Sequence, residues 1–171
     1  MIQKKIQAGF AFVTVLLVLI GLSIACGGSS EPAKKGKIGE KISTEKFDIV
    51  VSSVNTRNSV GGEFFREKAG QGAVFVVVNF NYKNISKEPI GTFSMPSIKI
   101  VDPNNVSYDS ATGASGAYAT EVNLDKKIAS DLNPGITQKD ADVFEVSKEN
   151  WDKAGWKLII KADDDVEITI K

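Results

Sequence analysis

The chain contains no histidine. That removes the commonest general base, so Ser-His-Asp and Cys-His nucleophilic sites are excluded. It also removes imidazole, on which zinc and copper sites lean. Cys26 is the one cysteine, so no internal disulfide can form. Met1 and Met95 are the two thioethers, and Met95, within Phe93-Ser94-Met95-Pro96, reads as a packing residue. An excess of one charge is missing too. The 21 basic residues face 21 acidic ones, which argues against a nucleic-acid partner. Ser-Lys pairs such as Ser43 with Lys46 and Ser86 with Lys87 remain for nucleophilic chemistry. Such pairs arise by chance on any surface rich in both residues. No enzyme activity and no cofactor is expected.

Long apolar runs are confined to residues 10–25, after Lys4 and Lys5 and before Cys26-Gly27-Gly28-Ser29-Ser30. A positive start, an apolar middle and small residues at the end read as a secretory signal peptide over residues 1–25. A spanning helix needs about 20 apolar residues; this run is shorter, with Gly21 and Ser23 near its end. It closes on Leu22-Ser23-Ile24-Ala25-Cys26, which resembles a bacterial lipobox. Leu22 and Ala25 fit that pattern, and Ser23 departs from it, standing where leucine is commonest. The resemblance implies cleavage before Cys26 and a lipid on that residue. The expected location is a cell membrane or outer membrane, with the chain facing the periplasm or the exterior. Gly27 follows the cysteine, where many two-membrane bacteria use aspartate to retain a lipoprotein at the inner membrane.

Residues 26–36 continue as a polar Gly/Ser/Pro tract, too poor in apolar surface to order itself, and read as a tether. From residue 37 to 171 the pattern is that of strands. Val74, Val76, Val78, Phe80 and Tyr82 alternate onto one face. On the other face Phe75 and Val77 give way to Asn79, Asn81 and Lys83. Such alternation predicts a half-buried strand whose far end meets water. Phe47, Ile49 and Val51 alternate likewise, as do Ile98 with Ile100, Leu158 with Ile160, and Val166, Ile168 and Ile170. Residues 141–146 make a less clean strand. Turn chemistry separates them: Asp102-Pro103-Asn104-Asn105, Asn133-Pro134-Gly135, and Ala162-Asp163-Asp164-Asp165 between the last two strands. Ser147 is placed to cap one helical turn, and no stretch predicts a helical layer. The expected fold is all-β, an immunoglobulin-like sandwich of about seven to eight antiparallel strands. Two connections, 55–72 and 107–121, exceed the usual loop length.

The order of these segments resembles a known family. Lys37-Ile38-Gly39-Glu40 precedes Phe47-Asp48-Ile49-Val50-Val51; Val74-Phe75-Val76-Val77-Val78-Asn79-Phe80 and Lys83-Asn84-Ile85-Ser86 follow. Then come Asp102-Pro103-Asn104, and Leu132-Asn133-Pro134-Gly135 before Val143-Phe144-Glu145-Val146. Over residues 37–160 this is similar to an uncharacterised domain of bacterial lipoproteins in the immunoprotective extracellular immunoglobulin-like superfamily. The resemblance implies a sandwich held outside the cytoplasm. It implies no catalytic residue.

Binding candidates follow from composition. Phe64 and Phe65, beside Arg66 and between glycines, could enter a partner's pocket or touch a membrane. The expected arrangement is that they fold back and plug an end of the sandwich. Tyr108 and Tyr118 pose the same question of recognition against packing. Asp163, Asp164 and Asp165, and separately Asp140 and Asp142, are weak calcium candidates, since clustered carboxylates also serve as solvated turns. Trp151 and Trp156 are expected in the core. Function is read as a lipid-anchored binding or adaptor module of the cell envelope, with an envelope protein as partner. The alternative is a carrier or sensor for a small ligand or calcium.

Overall fold

The computed structural model describes residues 33–124 and 130–171. The strand pattern folds into two sheets packed face to face. One sheet holds β2 (Lys41–Ser43), β3 (Phe47–Arg57), β6 (Ala73–Asn84) and β9 (Thr137–Ser147), in the order β2-β3-β6-β9. The other holds β1 (Lys34–Gly36), β7 (Ser97–Val101), β8 (Ser107–Tyr108), β10 (Lys157–Lys161) and β11 (Val166–Thr169). Its order is β1-β11-β10-β7-β8. A separate hairpin joins β4 (Ser59–Val60) to β5 (Glu67–Lys68). All pairings are antiparallel except β1 with β11.

The alternating residues meet between the sheets. Ile49, Val51, Val76, Val78 and Phe144 face Ile100, Leu158, Ile160, Val166 and Ile168, all of them buried. Trp156 is wholly buried beneath Tyr108 and Trp151, with ring centroids 5.5 and 5.0 Å away. Its indole N–H donates to the Asn150 carbonyl at 3.0 Å, which satisfies the one polar atom it carries inside. In β3 the pairing slips between Val51 and Ser53. The bulge adds Ser52, whose hydroxyl donates to the Asn79 carbonyl.

Among the described residues the two sheets hold nine strands where about seven to eight are expected, because β1, β2 and β8 are two- or three-residue edges that carry no visible period. Three further differences have physical reasons. Lys34–Gly36, assigned to the tether on composition, form β1 beside β11. Gly36 is there for space: a Cβ would stand 2.1 Å from Ile42 Cδ1. The connection read as a 107–121 loop contains β8 and a helix, α1 (Thr112–Glu121). Its small residues give it no apolar stripe, yet they let it lie close on the outer face of the β6–β9 pair. Ala114, Ala117 and Tyr118 there cover Phe75, Val77, Ala141 and Val143. This explains why β6 starts buried on both faces, and why β9 shows no clean alternation. Ser147 caps the short α2 (Lys148–Trp151) as predicted, its side chain accepting from Asn150 N.

Candidate functional site

The long antiparallel strands give the domain two distinct ends. At one end β3 finishes at Arg57 opposite Phe75 of β6, and the β4–β5 hairpin hangs from it. Val60 is buried and roots this hairpin against α1. Gly61 adopts φ +98°, and a Cβ there would lie 1.9 Å from the Phe65 carbonyl oxygen, so the loop closes only on glycine. Glu121, at the end of α1, clamps the loop. Its two carboxylate oxygens accept from Arg57 at 2.6 Å and from Gly61 N at 2.7 Å. The Arg57 guanidinium stands over the Tyr118 ring at 5.4 Å. The Arg57 hydrogen bond, helped by the Gly61 amide, holds the Glu121 carboxyl below its ordinary value.

The clamp leaves the aromatic pair outside. Phe64 is 97% and Phe65 60% exposed, with Arg66 exposed beside them. The expected plug is therefore overturned: Val60 and α1 occupy the face that the rings would have covered. Tyr118 lies beneath this loop but is buried, its hydroxyl donating to Asn79 Oδ1 at 3.1 Å. That bond also explains the change from Val77 to Asn79 on the outer face of β6. Tyr108 is not part of the group. It sits on the opposite sheet, packed on Trp156, and its hydroxyl donates to Asp102 Oδ2 at 3.2 Å. Asp102 also accepts from the backbone N–H of Asn104 and of Val106. Desolvation raises its pKa; these donors outweigh it and hold it below the ordinary value.

The other end is a cleft of about 860 Å³ between the β2–β3 turn, the 85–95 segment and the β10–β11 turn. Phe93 on its rim is fully exposed, carried by a single 3₁₀ turn, Thr92–Ser94. Ile85 and Ile136, also exposed, belong to adjoining turns tied by Asn84 N donating to the Ile136 carbonyl at 3.0 Å. Strand alternation does not mark this end. The available signal was Ile85, one apolar residue in the polar turn Asn84-Ile85-Ser86-Lys87-Glu88-Pro89. Asn84 itself is wholly buried and builds that turn, donating to the Glu88 and Leu132 carbonyls. Met95 is a rim packing residue, within 3.5 Å of the Tyr82 hydroxyl.

The Asp163, Asp164 and Asp165 carboxylates diverge to separate partners. Asp163 accepts from Thr44 Oγ1 at 2.6 Å and Lys46 N at 2.7 Å, tying the two sheets. Asp164 pairs with Lys34 at 2.7 Å, and Asp165 pairs with Lys161. Asp140 turns one oxygen to the Ala141 amide. Among the described residues no cluster of His, Cys, Asp or Glu has the arrangement to hold a metal ion. The Ser-Lys pairs are not coupled: Ser43 Oγ donates to Asp48, and Ser86 Oγ to Asn84 and the Glu88 carbonyl. Cys26 lies outside the described residues, and among those described no helix is long and apolar enough to cross a membrane.

Comparison with known proteins agrees with this architecture. The chain is 43% identical over 143 residues to the uncharacterized protein YxkC of Bacillus subtilis, covering 83% of this chain and 78% of that one. A crystal structure of a conserved hypothetical protein from Bacillus anthracis matches with a TM-score of 0.69 at 30% identity. That match covers 77% of this chain and 93% of the other. A proposed lipoprotein of Bacillus subtilis, ycdA, shares the fold at a TM-score of 0.52 and 12% identity, over 77% of this chain and 38% of its own. Residues 36–166 match the family model described as a domain of unknown function, DUF4352, and the chain belongs to that family.

Proposed function

We propose that the protein is a lipid-anchored binding module of the cell envelope, held at Cys26 and recognising a protein partner through the Phe64-Phe65 loop. The observation that carries this is the division of the molecule into two ends. The chain joins the fold at Lys34, whose backbone N–H donates to the Asp165 carbonyl beside the cleft. The exposed aromatic pair lies at the opposite end of the sheet, roughly 35–40 Å away along a twelve-residue strand. A tether at one end and aromatic rings on a loop clamped at Gly61 at the other suit presentation to a partner, since a loop fixed in advance costs less entropy on binding.

Several further points support the reading. The run before Cys26 has the order of a signal peptide. The fold neighbour ycdA is described as a proposed lipoprotein. Kinship with the immunoprotective extracellular superfamily belongs to the same proposal, supported by the two-sheet sandwich. The role is one of binding without catalysis, supported by the lack of histidine and by serine hydroxyls already engaged elsewhere. Fractionation of cells carrying wild type or Cys26→Ala tests the anchor. Wild type is expected to be processed and membrane-bound, and the variant to be released or unprocessed. The same processed, membrane-bound product from both would refute it.

A further inference from the structure

We propose that the cleft end lies on the lipid surface that anchors the chain, with Phe93 inserted at the boundary between headgroups and acyl chains. The inference rests on the lipid-anchored reading and adds an orientation and a second contact to it. Three observations meet at this end. First, Phe93 is 105% exposed, as clear of the protein as it would be in an isolated peptide. It is nonetheless held firmly. Ser94 N donates to the Gly91 carbonyl at 2.9 Å, and Ile90 and Leu132 exchange both backbone hydrogen bonds just before it. Asn84 fixes the neighbouring turn from inside. A rigid turn that presents one aromatic ring and no covering group has the form of a membrane wedge.

Second, Ile85 and Ile136 flank the same end, also exposed. Ile85 and Phe93 line one cleft, and exposed apolar side chains gathered at one end mark an interaction surface. Third, β1, the first strand of the described fold, starts at this end. Lys34 is fastened there by its bonds to Asp165, Asp164 and Ser43. Seven residues lie between it and Cys26, a reach of at most about 29 Å even fully extended. A bilayer holding Cys26 is therefore never more than one tether length from Lys34, at the end of the fold that carries Phe93. A weak insertion then suffices, because the tether turns it into an intramolecular event at high effective concentration.

Charge decides the kind of surface. Lys46, Lys87 and Lys161 line the cleft together with Glu45, Glu88 and Asp163. The signs balance, so the contact is apolar and needs no anionic headgroup. The lysine stems can lie along the interface with their ammonium groups in water. The Phe64-Phe65 loop then points away from the membrane.

The test uses the full chain as processed by the cell, purified and reconstituted in phosphatidylcholine vesicles whose acyl chains carry a quencher. An environment-sensitive dye is attached in Phe93→Cys and, separately, in Phe64→Cys; Cys26 does not label once its thiol carries lipid. Both positions are exposed, and unchanged melting of the variants shows intact folds. The dye at 93 is expected to shift to the blue and lose its emission to the quencher, while the dye at 64 stays water-like. Water-like emission at both positions, in chains that sediment with the vesicles and carry lipid by mass, overturns the docking and leaves the anchor standing. Chains without lipid that stay in solution overturn the anchor and the docking together. A dye at 93 that is shielded in cells but water-like on vesicles overturns the lipid in favour of a protein partner.

Discussion

Gly61 shows how much one backbone position carries. It sits at φ +98° with the Phe65 carbonyl 1.9 Å from where a Cβ would be. Gly61→Ala must bend the loop that presents Phe64 and Phe65, at a cost of about 1–3 kcal/mol. A lowered melting temperature with faster amide exchange in residues 59–68 is the expected result; unchanged exchange there would show the loop to be tolerant. Trp156 marks the opposite case, a residue whose place was readable because a large ring among alternating apolar residues goes to the core. Trp156→Ala is expected to cost about 3–5 kcal/mol, read from denaturant midpoints. The aspartates were not readable in this way. A row of three carboxylates has the same spelling whether it binds calcium or ties turns. The partners of Asp163 and Asp164 come from residues far off in sequence, Thr44 and Lys34, while Asp165 pairs locally with Lys161.

Strands were legible and the helix was not. Period-two alternation survives in β3, β10, β11 and the far half of β6 because one face meets the facing sheet and the other is more open to water. It fades in β9 because α1 buries the second face as well. The helix itself is written in Thr, Gly, Ala and Ser, residues that loops favour too, and its stability comes from contact with the sheet. Ser115 shows the fit: its hydroxyl accepts from the Val143 N–H at 2.9 Å, and Ala111 N donates to the Val143 carbonyl at 2.7 Å. The helix start thereby closes part of a free sheet edge. Ala117 is wholly buried at this contact. Ala117→Leu is expected to push α1 off the sheet and destabilise the fold by about 1–3 kcal/mol. Loss of the Arg57–Glu121 clamp should accompany it, visible as greater exchange at Gly61. Melting as stable as wild type would mean that the helix is loosely seated.

The whole molecule should be insensitive to pH near neutrality, since without histidine no side chain of ordinary pKa titrates between about pH 5 and 8. Sensitivity appears outside that window, with signs fixed by the shifts. Asp48, through its hydrogen bond from Ser43, lies below its ordinary 3.8, and Asp102 and Glu121 are lowered as well. The unfolded chain therefore binds more protons in acid. Their contribution is complete above the ordinary values of 3.8 and 4.5, and is lost as pH falls through the lowered folded values. Burial pushes Tyr82 from 10.0 up to about 12. Its contribution is complete below pH 10 and is lost as pH rises through the folded value. Urea midpoints from pH 2 to 12 should trace a plateau with two shoulders; a step between pH 6 and 7 would contradict this. The proposed division into a tethered end and a presenting end was only half legible. The lipobox-like residues indicated an anchor, but only the folded chain showed which end Lys34 joins and that the Phe64-Phe65 loop lies at the other.

The most direct measurement of that division is photo-cross-linking in living cells, with a photoreactive residue at position 64 and an exposed control at position 153. The account predicts a discrete protein adduct from position 64, absent from 153 and lost when Phe65→Ser is added with the anchor intact. No adduct from position 64, or the same adducts from both positions, would contradict it.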